Sequence, residues 1–379
     1  MGVPINGQIL AWARKRSHLS LEEVATKAEQ SVETIESWEK ELDTPTYPQL
    51  EKLAYSIYKR PIAIFFLPTP PDEKIESSFR TLPDGDYSKL PSPVERAIRT
   101  ARVFQLNLYE LHNGSNPNQE RLSSLLGLRK DSSASSLPVR VRDFLGVSIE
   151  AQFGWSDADD AFKNWRRNVE ATGIFIFKAP FRDDSFSGFC LYDSEFPIIY
   201  VNNSMAKARQ IFTVFHELAH IILQTSGLDP TDQSYFSSLP EPNAKIEAEC
   251  NAFAGNFLVP VSALRNQLKV SSPTEDDIKT LARKFNVSRQ VILRRLYDMG
   301  KVAKARFEKL DEQWAKEFRD SSPSSGGNFY RNKVAYLGDS YISLVLKRYY
   351  STAITQEQAV DYLNIKLNQL AGLETLAVQ

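Results

Sequence analysis

Arg209-Gln-Ile-Phe-Thr-Val-Phe-His216-Glu217-Leu-Ala-His220-Ile-Ile222 is the stretch on which the reading of this chain turns. It holds two of only four histidines, in the pattern H-E-x-x-H. With histidine so scarce, the pattern would arise by chance at roughly 0.3%, so it is a signal. Residues 206–224 contain no Gly or Pro, and Phe212, Phe215, Leu218 and Ile222 recur at helical spacing. The segment therefore predicts a helix anchored in a core. On a helix, positions i and i+4 share one face a turn apart, so His216 and His220 can reach a single metal ion. Glu217 sits beside them, placed to contact a water molecule rather than the metal.

A hydrolytic zinc site has three protein ligands and one open position. The third ligand is expected from a helix at 242–260, which has Pro242 near its start and Pro260 at its end. Its apolar stripe is Ile246, Cys250, Phe253, Ala254 and Phe257. Glu247 borders that stripe, whereas Glu249 points well round the helix. Glu247 is thus the expected third ligand, and Asn251, one turn on, the residue that orients an imidazole through its N–H. Cys190 and Cys250 are isolated and no Cys-x-x-Cys occurs, which argues against structural zinc. The expected cofactor is Zn2+ at a catalytic site.

Working outward, 379 residues are enough for two or three domains at about 150 residues each. Apolar residues make up 42% and charged residues 25%, a profile that excludes disordered and collagenous chains. The net charge of −1 announces neither nucleic acid nor a membrane surface. No apolar run approaches the ~18 residues of a membrane span. Two cysteines provide no disulfide framework and suit a reducing cytosol, so a cytoplasmic location is expected. Three short apolar runs, 173–177, 188–192 and 197–201, read as strands. A Ser- and Asn-rich passage, 113–136, reads as a separator, and Ser321-Ser-Pro-Ser-Ser-Gly-Gly327 as a linker. The expected division is a helical domain at 1–68, a linker and helical connector at 69–136, a mixed domain at 137–320, and a linker with two or three helices at 321–379. The fold class is α+β, mostly helical.

His216-Glu-Leu-Ala-His220, the preceding Arg209-Gln-Ile-Phe-Thr213, and Glu247-Ala-Glu-Cys-Asn-Ala-Phe-Ala254 with Leu258-Val-Pro260 resemble the ImmA/IrrE family of metallopeptidases. Leu281-Ala-Arg-Lys-Phe-Asn-Val-Ser288 and Arg294-Arg-Leu296 resemble that family's closing helices, so the likeness covers about 137–305. Cys250 stands where many members have Ala. The resemblance implies a zincin-like domain with a small β-sheet, His216, His220 and Glu247 as zinc ligands, and Glu217 as catalytic base. The chemistry would be metal-assisted peptide hydrolysis. Tyr200 and Tyr235 are both candidates for a donor to the oxyanion, and spacing does not choose between them. A substrate peptide is expected to add as a strand near residues 190–193.

Near the N-terminus, Ser20-Leu-Glu-Glu23 forms a capping box, and Leu19 to Ala54 resembles the repressor-type (Xre-like) helix-turn-helix. In such a domain Ser31, Glu33, Thr34 and Ser37 would face DNA. Yet residues 1–60 hold eight Lys or Arg against nine Asp or Glu, and phosphate contact prefers a basic face. Operator binding and protein contact, including a homodimer, both stay open. The function expected is an intracellular zinc endopeptidase that cleaves a repressor or regulator protein. The alternative is an antitoxin and transcriptional autoregulator that binds its toxin through residues 328–379.

Overall fold

The computed structural model describes residues 2–17, 19–71, 90–130, 132–231, 241–320 and 328–377. The described residues form 19 α-helices and a four-stranded mixed sheet, an α+β fold dominated by helices. It divides into two compact units, Met1–Ser77 with Asp86–Arg96, and Ser78–Gly85 with Ala97–Gln379. Among the described residues no helix is long and apolar enough to cross a membrane.

The first unit is built from short helices, Gly7–Arg16, Leu21–Ala28, Val32–Glu39 and Tyr47–Glu51. The expected capping box is present: the Ser20 hydroxyl accepts from Glu23 N–H and the Glu23 carboxylate accepts from Ser20 N–H. Glu29, with φ 59°, ends the second helix in the left-handed region and turns the chain into the third. Ile9, Leu10, Val24, Ile35, Trp38 and Phe65 close one small core beneath these helices.

The second unit is arranged around strands β1 (Phe175–Ala179), β2 (Phe186–Leu191), β3 (Ile198–Asn202) and β4 (Leu228–Pro230), in spatial order β1-β3-β2-β4. β1 runs parallel to β3, and the other pairings are antiparallel. Nearly every strand residue is buried, so the strands read as continuous apolar runs without alternation. Ile176, Cys190, Ile199 and Val201 face the main core, which they share with the helices Lys207–Ile222 and Glu241–Leu258. Phe177, Phe189 and Tyr200 point to the opposite face. There Phe104 stacks on Phe177 at 4.3 Å and Tyr341 meets Phe177 edge-on at 5.1 Å. The helices Ser92–Leu111 and Asp339–Tyr350 supply those two rings and cover that face of the sheet.

Several expectations need correction. The predicted strands lie within two residues of the observed ones, but β4 was not foreseen: three residues ending in Pro leave no periodic signal. The passage at 113–136 contains the helix Gln119–Gly127, whose Leu122 and Leu125 are fully buried. The C-terminal segment forms four helices, Phe329–Leu337, Asp339–Tyr350, Gln356–Leu363 and Leu370–Ala377, rather than two or three. Its second helix is a covering layer of the sheet. The Ser/Gly linker at 321–327 and Tyr235 lie outside the described residues.

Lys207–Ile222 can press so closely on β2 because of Gly188. A Cβ there would stand 2.5 Å from Thr213 Cγ2 and 2.8 Å from the Tyr200 carbonyl. Gly188→Ala should therefore overpack the contact and lower stability by about 1–3 kcal/mol, measured by urea unfolding. Wild-type stability in that variant would mean that helix and sheet are free to move apart.

Candidate metal centre

The helix Lys207–Ile222 has no polar side. All its residues from Thr213 to Ile222 are buried, packed on the sheet, on Glu241–Leu258 and on Ala158–Glu170. Phe215 stacks on Phe257 at 4.1 Å, and Trp165 meets Phe215 edge-on at 4.9 Å. This packing fixes the rotation of the helix, and that rotation turns His216 and His220 toward Glu247. His216, Glu217 and His220 are 0% exposed and Glu247 is 1% exposed.

The ring atoms Nε2 of His216 and His220 lie 3.2 Å apart. Each also approaches Glu247, His216 Nε2 at 3.2 Å from Oε2 and His220 Nε2 at 3.3 Å from Oε1. Despite those distances neither Glu247 oxygen has a hydrogen-bond partner. Ligands held tetrahedrally about 2.0–2.2 Å from a zinc ion lie about 3.3–3.6 Å from each other. The two ring nitrogens and the two Glu247 oxygens lie near that spacing, and one nitrogen or oxygen from each residue falls within a single 4.8 Å cluster. Two imidazoles and a carboxylate are the donor set of a catalytic zinc site. The residues present therefore fit a metal ion.

The other ring nitrogens are also accounted for. His216 Nδ1 lies 3.1 Å from Asn251 Oδ1, the orienting contact expected of Asn251. His220 Nδ1 lies 3.2 Å from Thr225 Oγ1, a residue that sequence reasoning did not single out. Gly227 lies flat against the His220 ring, since a Cβ there would come within 2.5 Å of its Cδ2. Glu249 points away and pairs with Arg129, as its position on the helix required.

Glu217 lies beside these residues with both carboxylate oxygens buried, next to the Cys190 thiol. Burial lifts its carboxyl to about 8, opposed by the charge of His220 and reinforced by that of Asp229. On Glu247 burial also acts upward, but His220 and His216 outweigh it and take the carboxyl down to about 2. Two neighbouring glutamates are thus driven apart, one toward a proton carrier and one toward a permanent anion.

Asp229 on β4 is a second residue missed by the sequence reading. It is 1% exposed, accepts from Thr213 Oγ1 at 2.8 Å, and pairs with Arg209 at 2.8 Å. Arg209 also donates to Ser187 Oγ at 2.8 Å, so helix, β2 and β4 are fastened together next to the ligands. A strand of three residues ending in Pro carries no periodic signal; the one usable sign was the isolated Asp between Leu228 and Pro230.

Two expectations about substrate contact do not hold. Tyr200 lies on the sheet face turned away from the metal ligands, stacked on Phe189 at 5.3 Å, so it cannot serve the oxyanion. Residues 190–192 are flanked on both sides: Cys190 is in register with Ile199 on one side, and its N–H donates to the Gly227 carbonyl on the other. The Tyr192 N–H is taken by Ser226 Oγ at 3.0 Å. The sheet edge on that side is β4.

The candidate DNA-facing residues lie at the start of Val32–Glu39 and do not join this site. Ser31 Oγ caps the helix by accepting from Thr34 N–H, Ser37 Oγ donates to the Thr34 carbonyl, and Glu33 is exposed.

Residues 169–297 match the model of a peptidase family, the IrrE N-terminal-like domain. The matched segment contains the whole sheet and both ligand-bearing helices, and it supports the ImmA/IrrE resemblance. No curated protein matches the chain.

Asn251→Ala should leave the fold intact and weaken metal retention by ~10–100-fold, the expected loss for a residue that orients a ligand. A chelator-competition titration measures it. Unchanged affinity would make Asn251 a packing residue.

Proposed function

We propose that this chain is a zinc-dependent endopeptidase that cleaves a repressor or regulator protein and so controls transcription or a stress response. One observation carries the reading: Glu217 is fully buried against a triad of His216, His220 and Glu247 spaced for a metal. A module that only binds has no use for a buried carboxylate in that position, whose burial costs several kcal/mol. Zinc bound there would polarise the scissile carbonyl and acidify a water molecule.

The residues of the chain supply the rest. Glu217 takes the proton of the attacking water and returns it to the leaving amine, as a general base and then a general acid. Glu247 supplies the one anionic ligand, and Asn251 holds the His216 ring in place. The Arg209–Asp229 pair fixes β4 beside these residues. No oxyanion donor is assigned to this reaction.

The second reading, an antitoxin that holds its toxin through residues 328–379, has one observation in its favour. Tyr350 and Leu367 in this segment are 62% and 53% exposed. Deleting the segment would not test it cleanly, because Tyr341 and Ile342 are buried there and Tyr341 packs against the sheet. Tyr350→Asp with Leu367→Asp is the better probe.

The purified chain should carry about one zinc per molecule by elemental analysis. Glu217→Gln should keep that zinc and lose ~10²–10⁴-fold in cleavage of the target regulator. An antitoxin acting by occlusion would behave differently: Glu217→Gln would still neutralise the toxin, and the Tyr350/Leu367 double variant would fail. Full biological activity in Glu217→Gln would end the case for hydrolysis.

A further inference from the structure

The C-terminus of the helix Lys207–Ile222 ends in a capping motif that reaches back to a metal ligand. Gln224 sits in the left-handed region with φ 56°. Its N–H bonds the Ile221 carbonyl at 2.9 Å, and Thr225 N–H bonds the His220 carbonyl at 2.9 Å. This pair of bonds is a Schellman motif, in which the last carbonyls of a helix find donors from the residues that follow. Here the motif has a second effect. By folding the chain back one turn, it places the Thr225 side chain over the imidazole of His220.

A threonine hydroxyl has one hydrogen to give and two lone pairs to accept with. The Thr225 hydroxyl donates its hydrogen to the His220 carbonyl at 3.2 Å. What it presents to His220 Nδ1, also at 3.2 Å, is therefore a lone pair. With the hydroxyl hydrogen on that carbonyl, the hydrogen in the Nδ1 contact comes from the ring. Nε2 is then the ring nitrogen that faces Glu247 and His216 Nε2.

We propose that Thr225 is a positioning residue of the metal centre, whose hydroxyl locks His220 in the tautomer that carries hydrogen on Nδ1 and leaves Nε2 free for the metal. Asn251 Oδ1 does the same for His216 from another helix. The two ligands are thus set by different means, one by a neighbouring helix and one by the cap of their own helix. Gly227 completes the second arrangement, since its bare backbone lets the turn lie against the ring. The proposal rests on the metal reading of the site.

The test is zinc affinity by chelator competition on the full chain, with Thr225→Val and Thr225→Ser beside the wild type. Long-range proton–nitrogen NMR of the histidine rings accompanies it. Thr225→Val keeps the shape and removes the hydroxyl. It should weaken zinc by ~10–100-fold, and the metal-free protein should show His220 as a mixture of tautomers. Thr225→Ser restores the hydroxyl and should stay within about threefold of wild type with one tautomer. Wild-type affinity in Thr225→Val overturns the proposal. So does an equal loss in Thr225→Ser, which would assign the effect to the methyl group. Should Thr225→Val fail to fold, Thr225→Ala against Thr225→Ser decides the same question. A wild-type chain that binds no zinc would instead remove the metal reading itself.

Discussion

Two imidazole nitrogens and a carboxylate converge within 3.3 Å of one another, with their side chains buried. The surrounding packing serves that convergence. Burying two imidazoles and two carboxylates costs several kcal/mol unless each finds a counter-charge or a hydrogen bond. A divalent cation offsets that cost directly for Glu247, and by its charge for Glu217. The apolar contacts around the helix, with Trp165, Phe215 and Phe257 at their centre, hold these groups in the core.

A helix buried on every side has nowhere to move, and polar contacts at both ends fix its position further. At the N-terminal end Gln210 donates to the Met205 carbonyl, while Arg209 and Thr213 grip Asp229. At the C-terminal end Thr225 and Gly227 close on His220. β4 gains its order from the first of these. A three-residue strand ending in Pro has few ladder hydrogen bonds, so the ion pair to Arg209 and the hydroxyl of Thr213 do much of the holding.

The candidate metal-binding residues were legible because helices announce themselves over many residues. His216, Glu217 and His220 belong to a long apolar-periodic run, and Glu247 and Asn251 could be placed by counting round a second helix. The structure brings His216, His220, Glu247 and Asn251 together as that counting required. Thr225 and Asp229 were not legible, because each acts from a short non-periodic segment whose course depends on tertiary contacts. Tyr200 shows the reverse error. It was considered because of its chemistry, but strand alternation sends it to the far face, and only the pairing of β2 with β3 reveals which face that is. The extra helices at 119–127 and in 328–377 were missed for a simpler reason: each is short, and polar residues dominate its flanks.

The N-terminal unit poses an electrostatic question that its own contacts begin to answer. Arg14, one of the cations available for phosphate, forms a two-pronged pair with Glu39 at 2.6 and 2.8 Å, both side chains largely buried. Lys40 is engaged by Glu36 at 2.6 Å, though that exposed pair is weak. Neutralising phosphates is what gives most DNA-binding helices their affinity, and each cation committed to an internal carboxylate reduces it. The hydroxyls of Ser31 and Ser37, which could otherwise read a base edge, are turned onto the helix backbone. Leu42 and Tyr47, exposed just beyond the same helix, are the kind of side chains a protein surface covers.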